Sequence, residues 1–272
     1  MKIGFCANMA AQDPQGIGDG WIEALAELGY DYVELPLAQM MSVDDQAFSS
    51  RVRLRLKRVG IPCEAANNFF PKDYRLTGPD ADQSRAEAYA RRALDRAAEL
   101  GVKRVVFGSG GARNAPNHWP KERSLEQLTS FLQALAVPAR ERDIRIVIEP
   151  LNRLESNLIN RLEECVALAT LVGMDEIGVL ADYYHMRMGF EPLDNIASAK
   201  GLLGHAHIAR PLGRMIPQYG DDEPYTSLFS MFKAIGYDER VSVEANITED
   251  FLAEAGDALR VLRHHASLGQ GP

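Results

Sequence analysis

Short apolar runs alternate with longer helical patterns along the whole chain, and this alternation restricts the fold more than any other feature. The candidate strands, rich in Val, Ile and Phe, are residues 2–8, 31–37, 61–67, 103–110, 145–151, 177–185, 204–209 and 240–246. Strands that alternate with helices form βαβ units and a parallel sheet. Eight such units predict an α/β fold, a single (β/α)8 TIM barrel that takes up residues 1–272 as one domain.

The segments between the candidate strands place apolar residues at helical spacing. Predicted helices cover residues 81–100, 124–142, 160–172, 225–236 and 248–263. Thr248 is a predicted N-cap of the last one. Glycines that precede a strand and are predicted to end a helix are Gly60, Gly101 and Gly236. The rival fold, a doubly wound open sheet, needs a glycine-rich phosphate loop after its first strand, and GIGDG at 16–20 lies too far along the chain.

Charge and cysteine content exclude several classes of protein. The 38 acidic residues outnumber the 30 basic ones, whereas a broad nucleic-acid interface needs a basic face. Cys6, Cys63 and Cys165 form no CxxC pair, which predicts buried free thiols. The start resembles no signal peptide, and no run approaches the roughly 20 apolar residues of a membrane span. We therefore expect a soluble cytoplasmic protein with a small-molecule partner, and neither a nucleic-acid nor a membrane partner.

The ends of the last four candidate strands carry an unusual set of polar residues. They are Glu149, Asp182, His185, His205, His207 and Glu244. In a barrel these strand ends meet at the face that holds active sites. A buried carboxylate needs a charge partner, and no basic residue adjoins these positions on their strands. A single such Glu indicates an ordinary ion pair, but three carboxylates and an imidazole on consecutive strands predict one divalent cation, Mn²⁺, Co²⁺, Mg²⁺ or Zn²⁺.

Four segments resemble the xylose isomerase-like superfamily, and within it the D-tagatose 3-epimerase and D-allulose 3-epimerase branch. They are EPLNRLE (149–155), LADYYHM (180–186), GHAHIA (204–209) and VSVEAN (241–246). The shared pattern is Glu, Asp-x-x-His, His-x-His and Glu at the ends of strands five to eight. The resemblance implies one divalent metal ion, Mn²⁺ first among the candidates, held by Glu149, Asp182, His207 and Glu244. It also implies that the two glutamates are the acid/base pair.

The reaction that this resemblance implies is the epimerisation of a keto sugar at the carbon next to the ketone. The metal stabilises an enediolate while one carboxylate removes a proton and the other returns one to the opposite face. Implied substrate contacts are Glu155, His185 and Arg214. The family's usual Gly-Glu after the strand-seven histidine is Ala209-Arg210 here. A homodimer or homotetramer is the implied assembly.

Further substrate contacts are predicted from position alone. His205 lies on the same side of its strand as His207. Asn67 and Glu34 lie at the expected barrel mouth, where they would bind sugar hydroxyls or serve as ordinary turn and strand residues. Trp119 would stack on a sugar face or anchor a loop.

Several alternative functions stay open at this point. Aldose–ketose isomerases, hydroxypyruvate-type isomerases, and dehydratases or lyases acting on a keto sugar, keto-inositol or 3-keto-glycoside share the same metal barrel. Apurinic endonucleases of this superfamily need further histidines on strands three and four, where this chain offers Asn67 and Ser109. A barrel that only binds a ligand would be expected to lack metal ligands, and all four are present.

Overall fold

The computed structural model describes residues 1–269 and is a closed parallel barrel. Its strands are β1 Lys2–Cys6, β2 Tyr32–Pro36, β3 Cys63–Asn67, β4 Arg104–Phe107, β5 Arg145–Ile148, β6 Ile177–Asp182, β7 Leu203–Ile208 and β8 Arg240–Val243. Each strand pairs in parallel with the next one along the chain, and β8 pairs with β1 to close the barrel. The predicted (β/α)8 architecture is confirmed.

Helices cover the outside of the barrel. The α-helices are α1 Ile22–Leu28, α2 Leu37–Met41, α3 Asp45–Phe48, α4 Leu54–Val59, α5 Gln83–Glu99, α6 Gly110–Arg113, α7 Lys121–Arg140, α8 Leu162–Val172, α9 Tyr183–Met188, α10 Tyr225–Ala234 and α11 Phe251–Leu268. A π-helical turn at Ser49–Arg53 joins α3 to α4. Short 3₁₀ turns lie at Ala7–Ala10, Asp19–Trp21, Leu193–Ala199 and Leu212–Arg214.

Several predicted elements begin or end at other residues in the structure, and two of these differences have a clear physical reason. The run 145–151 extends past the end of β5, because Pro150 has no N–H to continue the strand ladder. The N-cap of α11 is Asp250, whose carboxylate accepts from the backbone N of Ala253, so the prediction of Thr248 was wrong. The predicted stops were confirmed with left-handed φ values, 82° at Gly60, 80° at Gly101 and 79° at Gly236.

Side-chain alternation along the strands separates an outer core from the barrel interior. On β5, Ile146 and Ile148 pack in the large core between strands and helices. Val147 points the other way and packs with Val106 and Leu180 in a small cluster. Glu149 follows in the same inward phase as Val147. The strand pattern therefore delivers a carboxylate to the inside of the barrel, just above an apolar layer.

The three cysteine thiols are buried and free, as predicted. Within residues 1–269, no helix has the length and apolar character needed to cross a membrane.

Candidate active site

Four side chains from the last four strands converge at the C-terminal end of the barrel. Asp182 ends β6 and His207 lies on β7, and the two glutamates directly follow β5 and β8. Ligand atoms of Glu149, Asp182, His207 and Glu244 all lie within 4.8 Å of one another, and all four residues are buried. The Nδ1 atom of His207 is 3.1 Å from Glu149 Oε1 and 3.1 Å from Glu244 Oε2. One small volume is therefore surrounded by three carboxylates and an imidazole.

The residues of this cluster fit a divalent cation. Asp182 Oδ2 is buried and accepts no hydrogen bond from any of residues 1–269. Such an atom costs free energy unless a cation or a donor satisfies it. Oxygen and nitrogen ligands in this ratio suit Mn²⁺, Co²⁺, Mg²⁺ or Zn²⁺. Glu149, Asp182, His207 and Glu244 are thus the residues that would hold the metal.

The two glutamates have different electrostatic surroundings. Burial raises the pKa of Glu149, and the nearby carboxylate of Glu244 adds to this, although the contact with His207 opposes it. Burial also acts to raise the pKa of Glu244, but the guanidinium of Arg214 and His207 outweigh burial and hold that pKa at about 2. The arrangement separates the proton affinities of two otherwise similar carboxyl groups.

Arg214 accounts for much of this difference. Its Nη2 forms an ion pair with Glu244, and its Nε donates to the Glu244 backbone oxygen at 3.2 Å. Its guanidinium also lies 4.7 Å from the ring centre of Tyr184. The Arg214 backbone has a left-handed φ of 53°, held in the loop after β7. The residue predicted to contact substrate therefore lies at the site, where it also neutralises one of the four ligands.

His185 is held by the loop that follows β5. Its Nδ1 accepts from the Asn152 backbone N at 3.1 Å and is 2.9 Å from Asn152 Nδ2. Because Nδ1 accepts, the ring proton lies on Nε2, which is buried and without a hydrogen-bond partner among the described residues. Asn152 Nδ2 also donates to Glu155 Oε1 at 2.9 Å. His185 and Glu155 both line the central cavity.

The other predicted substrate contacts lie away from that cavity. His205 is fully buried, with Nε2 2.8 Å from Glu34 Oε2. Glu34 is itself fully buried below the ligand cluster, so the expectation that it lies at the mouth was wrong. Asn67 Nδ2 donates to Asn8 Oδ1 at 3.1 Å and approaches Glu244 Oε1 at 3.4 Å. Trp119 is half-buried in the loop before α7 and is not part of the cavity wall.

The cavity above the cluster has a volume of about 780 Å³. Its inner end is formed by Glu149, Glu155, His185, Arg214 and Glu244. Its outer lobe is formed by loops of the first half of the barrel and includes Gln15, Gln39, Ser42, Asn68, Phe70, Lys72 and Gly111. Gln39 Oε1 is buried in this lobe and has no hydrogen-bond partner within residues 1–269. Polar side chains thus line the outer lobe of the cavity as well as the inner end beside the metal ligands.

Two residues of the segment 108–114 support Glu149 in ways that sequence analysis missed. A Cβ atom at Gly108 would lie 2.0 Å from Glu149 Oε2, so only glycine leaves room for this carboxylate. Arg113 is fully buried, and its Nη atoms donate to the backbone oxygens of Phe107 at 2.8 Å and Glu149 at 2.7 Å. A glycine directly after a strand and an Arg in an otherwise small-residue loop were the available signals.

Comparisons with known proteins agree with the geometry. The sequence model of the family described as "Xylose isomerase-like TIM barrel" matches residues 22–265. D-psicose 3-epimerase of Agrobacterium fabrum is 27% identical over 234 residues, which are 82% of this chain and 78% of the relative. 3-dehydro-D-guloside 4-epimerase of Escherichia coli is 25% identical over 252 residues, 88% of this chain and 91% of the relative.

A solved structure shows the same fold at lower sequence identity. The crystal structure of a D-psicose 3-epimerase in the presence of D-fructose has a TM-score of 0.81 and 21% identity, covering 99% of this chain and 98% of the other. The strand order, the ligand cluster and the match over most of the chain lead to one conclusion: the chain belongs to the xylose isomerase-like TIM barrel family.

Proposed function

We propose that this chain is an isomerase-class enzyme that epimerises a keto sugar at the carbon next to the ketone. One observation carries the proposal. Glu149 and Glu244 follow β5 and β8, which two other strands separate around the barrel, and each carboxylate lies 3.1 Å from the same His207 nitrogen. Two carboxylates placed in this way suit removal of a proton on one face of a carbon and its return on the other. The curated relatives named above are epimerases, which supports the same reaction.

The proton on a carbon next to a ketone is only weakly acidic, so the site must stabilise the charge left behind. A divalent metal held by the four ligands supplies a Lewis acid for this purpose. Glu149 and Glu244 act as the general acid and base, in an order that depends on which epimer is bound. Both glutamates directly follow strands of a closed barrel, a scaffold that positions the two carboxyl groups relative to each other.

Three further side chains of the inner cavity would orient the sugar. The Nε2 proton of His185 has no protein acceptor among the described residues and is available to a substrate oxygen. Glu155 and Arg214 both line the cavity, with Glu155 Oε2 3.8 Å from Arg214 Nη1, and both can bind hydroxyl groups. His205 and Asn67 act through their contacts with buried carboxylates rather than through the substrate.

The alternatives of aldose–ketose isomerisation, dehydration and elimination are less well supported. They require proton return to a neighbouring carbon or loss of a hydroxyl group, and neither needs a second carboxylate on the opposite face. The apurinic endonuclease alternative needs histidines at the ends of β3 and β4. Asn67 and Ser109 occupy those places, which does not favour a multi-metal site.

A second candidate substrate is a keto sugar that carries a glycosidic substituent. The outer lobe favours it, because the cavity of about 780 Å³ extends well beyond the metal ligands. The buried Gln39 Oε1, which no described residue satisfies, is available to a hydroxyl group of the substituent. The relative from Escherichia coli is named for such a compound, 3-dehydro-D-guloside.

A proton-exchange assay tests the proposed reaction. The protein, loaded with Mn²⁺, is incubated in D₂O with free ketohexoses, ketopentoses and 3-keto-glucosides, and NMR reports which carbon takes up deuterium. We expect uptake only at a carbon next to the ketone, together with appearance of the epimer. A clear preference for the 3-keto-glucosides would identify the second candidate.

Two substitutions assign the acid/base roles. Glu149→Gln and Glu244→Gln should each lower turnover by about 10²- to 10⁴-fold. Glu163→Gln, an exposed position on α8, is the matched control and should leave turnover unchanged. Metal content is measured in parallel, so that loss of the base is distinguished from loss of the ion. Unchanged turnover in either active-site variant would contradict the mechanism.

Three finer points complete the proposal. Mn²⁺ is the proposed ion, because three carboxylates and one imidazole give the mixed oxygen and nitrogen set that it accepts.

The proposed assembly is a homodimer or homotetramer, which light scattering of the purified protein tests. The proposed location is the cytoplasm, in keeping with three free buried thiols.

A further inference from the structure

A buried polar array lies directly below the metal ligands and is not used by the reaction described above. Its centre is Glu34 on β2, which is fully buried. Glu34 Oε1 is 3.0 Å from Nε2 of His207, and Glu34 Oε2 is 2.8 Å from Nε2 of His205. Ser242 on β8 donates to Glu34 Oε2 at 2.6 Å. No Lys or Arg within residues 1–269 forms an ion pair with this carboxylate.

The chemistry of these groups decides the direction of each bond. An ionised carboxylate is only an acceptor, so the Nε2 atom of His207 that faces Glu34 carries a proton. The other nitrogen, Nδ1, faces Glu149 and Glu244 at 3.1 Å. A metal ligand must offer a lone pair, and Glu34 leaves Nδ1 as the nitrogen that can offer it. Glu34 therefore selects the tautomer and the ring orientation that metal binding requires.

We propose that Glu34 is a positioning residue of the metal centre, acting through His207, and that His205 and Ser242 serve to hold the Glu34 carboxylate in place. This inference rests on the proposed metal site. His205 is thereby assigned a supporting role instead of the substrate contact predicted from its spacing. Ser242 Oγ is also 2.8 Å from the hydroxyl of Tyr32. His205 on β7 and Ser242 on β8 are thus the donors that orient the Glu34 carboxylate of β2.

The two oxygens of Glu34 have separate tasks in this arrangement. Oε1 contacts the ligand His207, while Oε2 is occupied by His205 and Ser242. A change to the donors on Oε2 should therefore weaken metal binding less than a change to Glu34 itself. This graded effect separates positioning from a general contribution to folding.

The test measures the binding of Mn²⁺ alone to metal-free protein by titration calorimetry, without substrate or turnover. Glu34→Gln keeps the size of the side chain but removes its charge and replaces one acceptor oxygen with a donor. We expect about 10- to 100-fold weaker Mn²⁺ binding, as for other hydrogen-bond partners of ligating histidines. With Co²⁺ as a probe, the visible absorption spectrum should change because the imidazole is reoriented.

Ser242→Ala keeps the inference testable if the Glu34 variant does not fold. Ser124 on α7 is an equally buried serine remote from the array, so Ser124→Ala is its matched control. Ser242→Ala should weaken Mn²⁺ binding several-fold, and Ser124→Ala should not. Wild-type affinity in Glu34→Gln, or equal effects in the two serine variants, would overturn the role of Glu34. Absence of Mn²⁺ binding by the wild-type chain would overturn the metal site itself.

Discussion

The two ends of the barrel both carry clusters of charged side chains, but the charges are paired differently at each end. At the N-terminal end, Glu64 Oε1 lies 2.5 Å from Lys2 Nζ, and its Oε2 lies 2.5 Å from Arg240 Nε. Arg104 and Glu239 form another ion pair there. At the C-terminal end, Arg214 forms a close ion pair with one of the three ligand carboxylates and lies 4.0 Å from Asp182 Oδ2.

The charges at the N-terminal end stabilise the barrel, whereas those at the C-terminal end form a possible binding site. Long charged side chains fill the N-terminal end, and glycines on the strands leave space for them. A Cβ atom at Gly178, for example, would lie 2.6 Å from Arg145 Nε. At the other end, a glycine at position 108 makes room for a carboxylate that has no Arg or Lys partner among the described residues. At the N-terminal end each carboxylate has its own cation, whereas at the C-terminal end three carboxylates share one Arg, and this excess of negative charge favours a bound cation.

The largest effect is expected on metal affinity, when one ligand carboxylate at the C-terminal end loses its charge. Asp182→Asn keeps the oxygen that accepts from the backbone N of His185 at 2.9 Å, so the start of α9 is preserved. We expect Mn²⁺ affinity to fall by more than about 100-fold, since a ligand should matter more than a partner of a ligand. Calorimetry measures it. Arg240→Met, at the opposite end, is the control that should retain affinity.

Closing the space beside Glu149 should reduce turnover strongly. In Gly108→Ala the new methyl group would displace the Glu149 carboxylate, because the two would otherwise be 2.0 Å apart. A misplacement of about 1 Å can lower kcat/KM by about 10²-fold. Gly20→Ala is the control, since a Cβ atom there meets nothing within 4 Å. Full activity in Gly108→Ala would show that the Glu149 carboxylate has freedom that the structure does not indicate.

Because Arg113 donates to the backbone oxygen of Glu149, its replacement should lower the stability of the fold. Arg113→Met leaves the backbone oxygens of Phe107 and Glu149 without their guanidinium donor. Buried acceptors that lose a partner cost about 1–3 kcal/mol each, offset in part by the favourable removal of a buried charge. We expect the free energy of unfolding to fall by about 2 kcal/mol in urea denaturation. Arg91→Met, at an exposed position on α5, should change it little.

The smallest effect is expected for the ion pairs that close the N-terminal end. Glu64→Gln should lower the free energy of unfolding by about 1 kcal/mol or less, because the ion pair with the exposed Lys2 is weak and the amide oxygen can still accept from Arg240; turnover should be unchanged. Burial acts to raise the pKa of Glu64, but Lys2 and Arg240 outweigh it and lower the pKa. A carboxyl group whose pKa is lowered by folding stabilises the protein above its ordinary pKa.

That stabilisation is lost as the pH falls through the lowered pKa of the folded state. The difference in unfolding free energy between the wild-type and Glu64→Gln proteins should therefore be present at neutral pH and vanish in acid. A difference that grew as the pH fell below the ordinary Glu value of 4.5 would contradict this assignment.

Much of the site was predictable because its residues lie at the ends of strands with a regular two-residue alternation. Once the barrel is assumed, that register brings Glu149, Asp182, Glu244 and the two histidines of β7 to one face, and the family resemblance singled out His207 as the ligand. The pairing of Arg214 with Glu244 was not predictable. It depends on a loop that returns from β7 to β8, where the backbone N of Asn246 donates to Arg214 O at 2.7 Å.

The sequence by itself determined the eight strands, their order and the face on which the polar strand ends collect, because hydrophobic periodicity and strand alternation are local properties of the chain. Only the tertiary structure decided which polar groups touch. Glu34 and His205 are 171 positions apart, and their contact depends on the tilt and closure of the barrel. No local spacing encodes that geometry. The sequence therefore could not distinguish the metal ligands from the residues that position them, and the tertiary structure could.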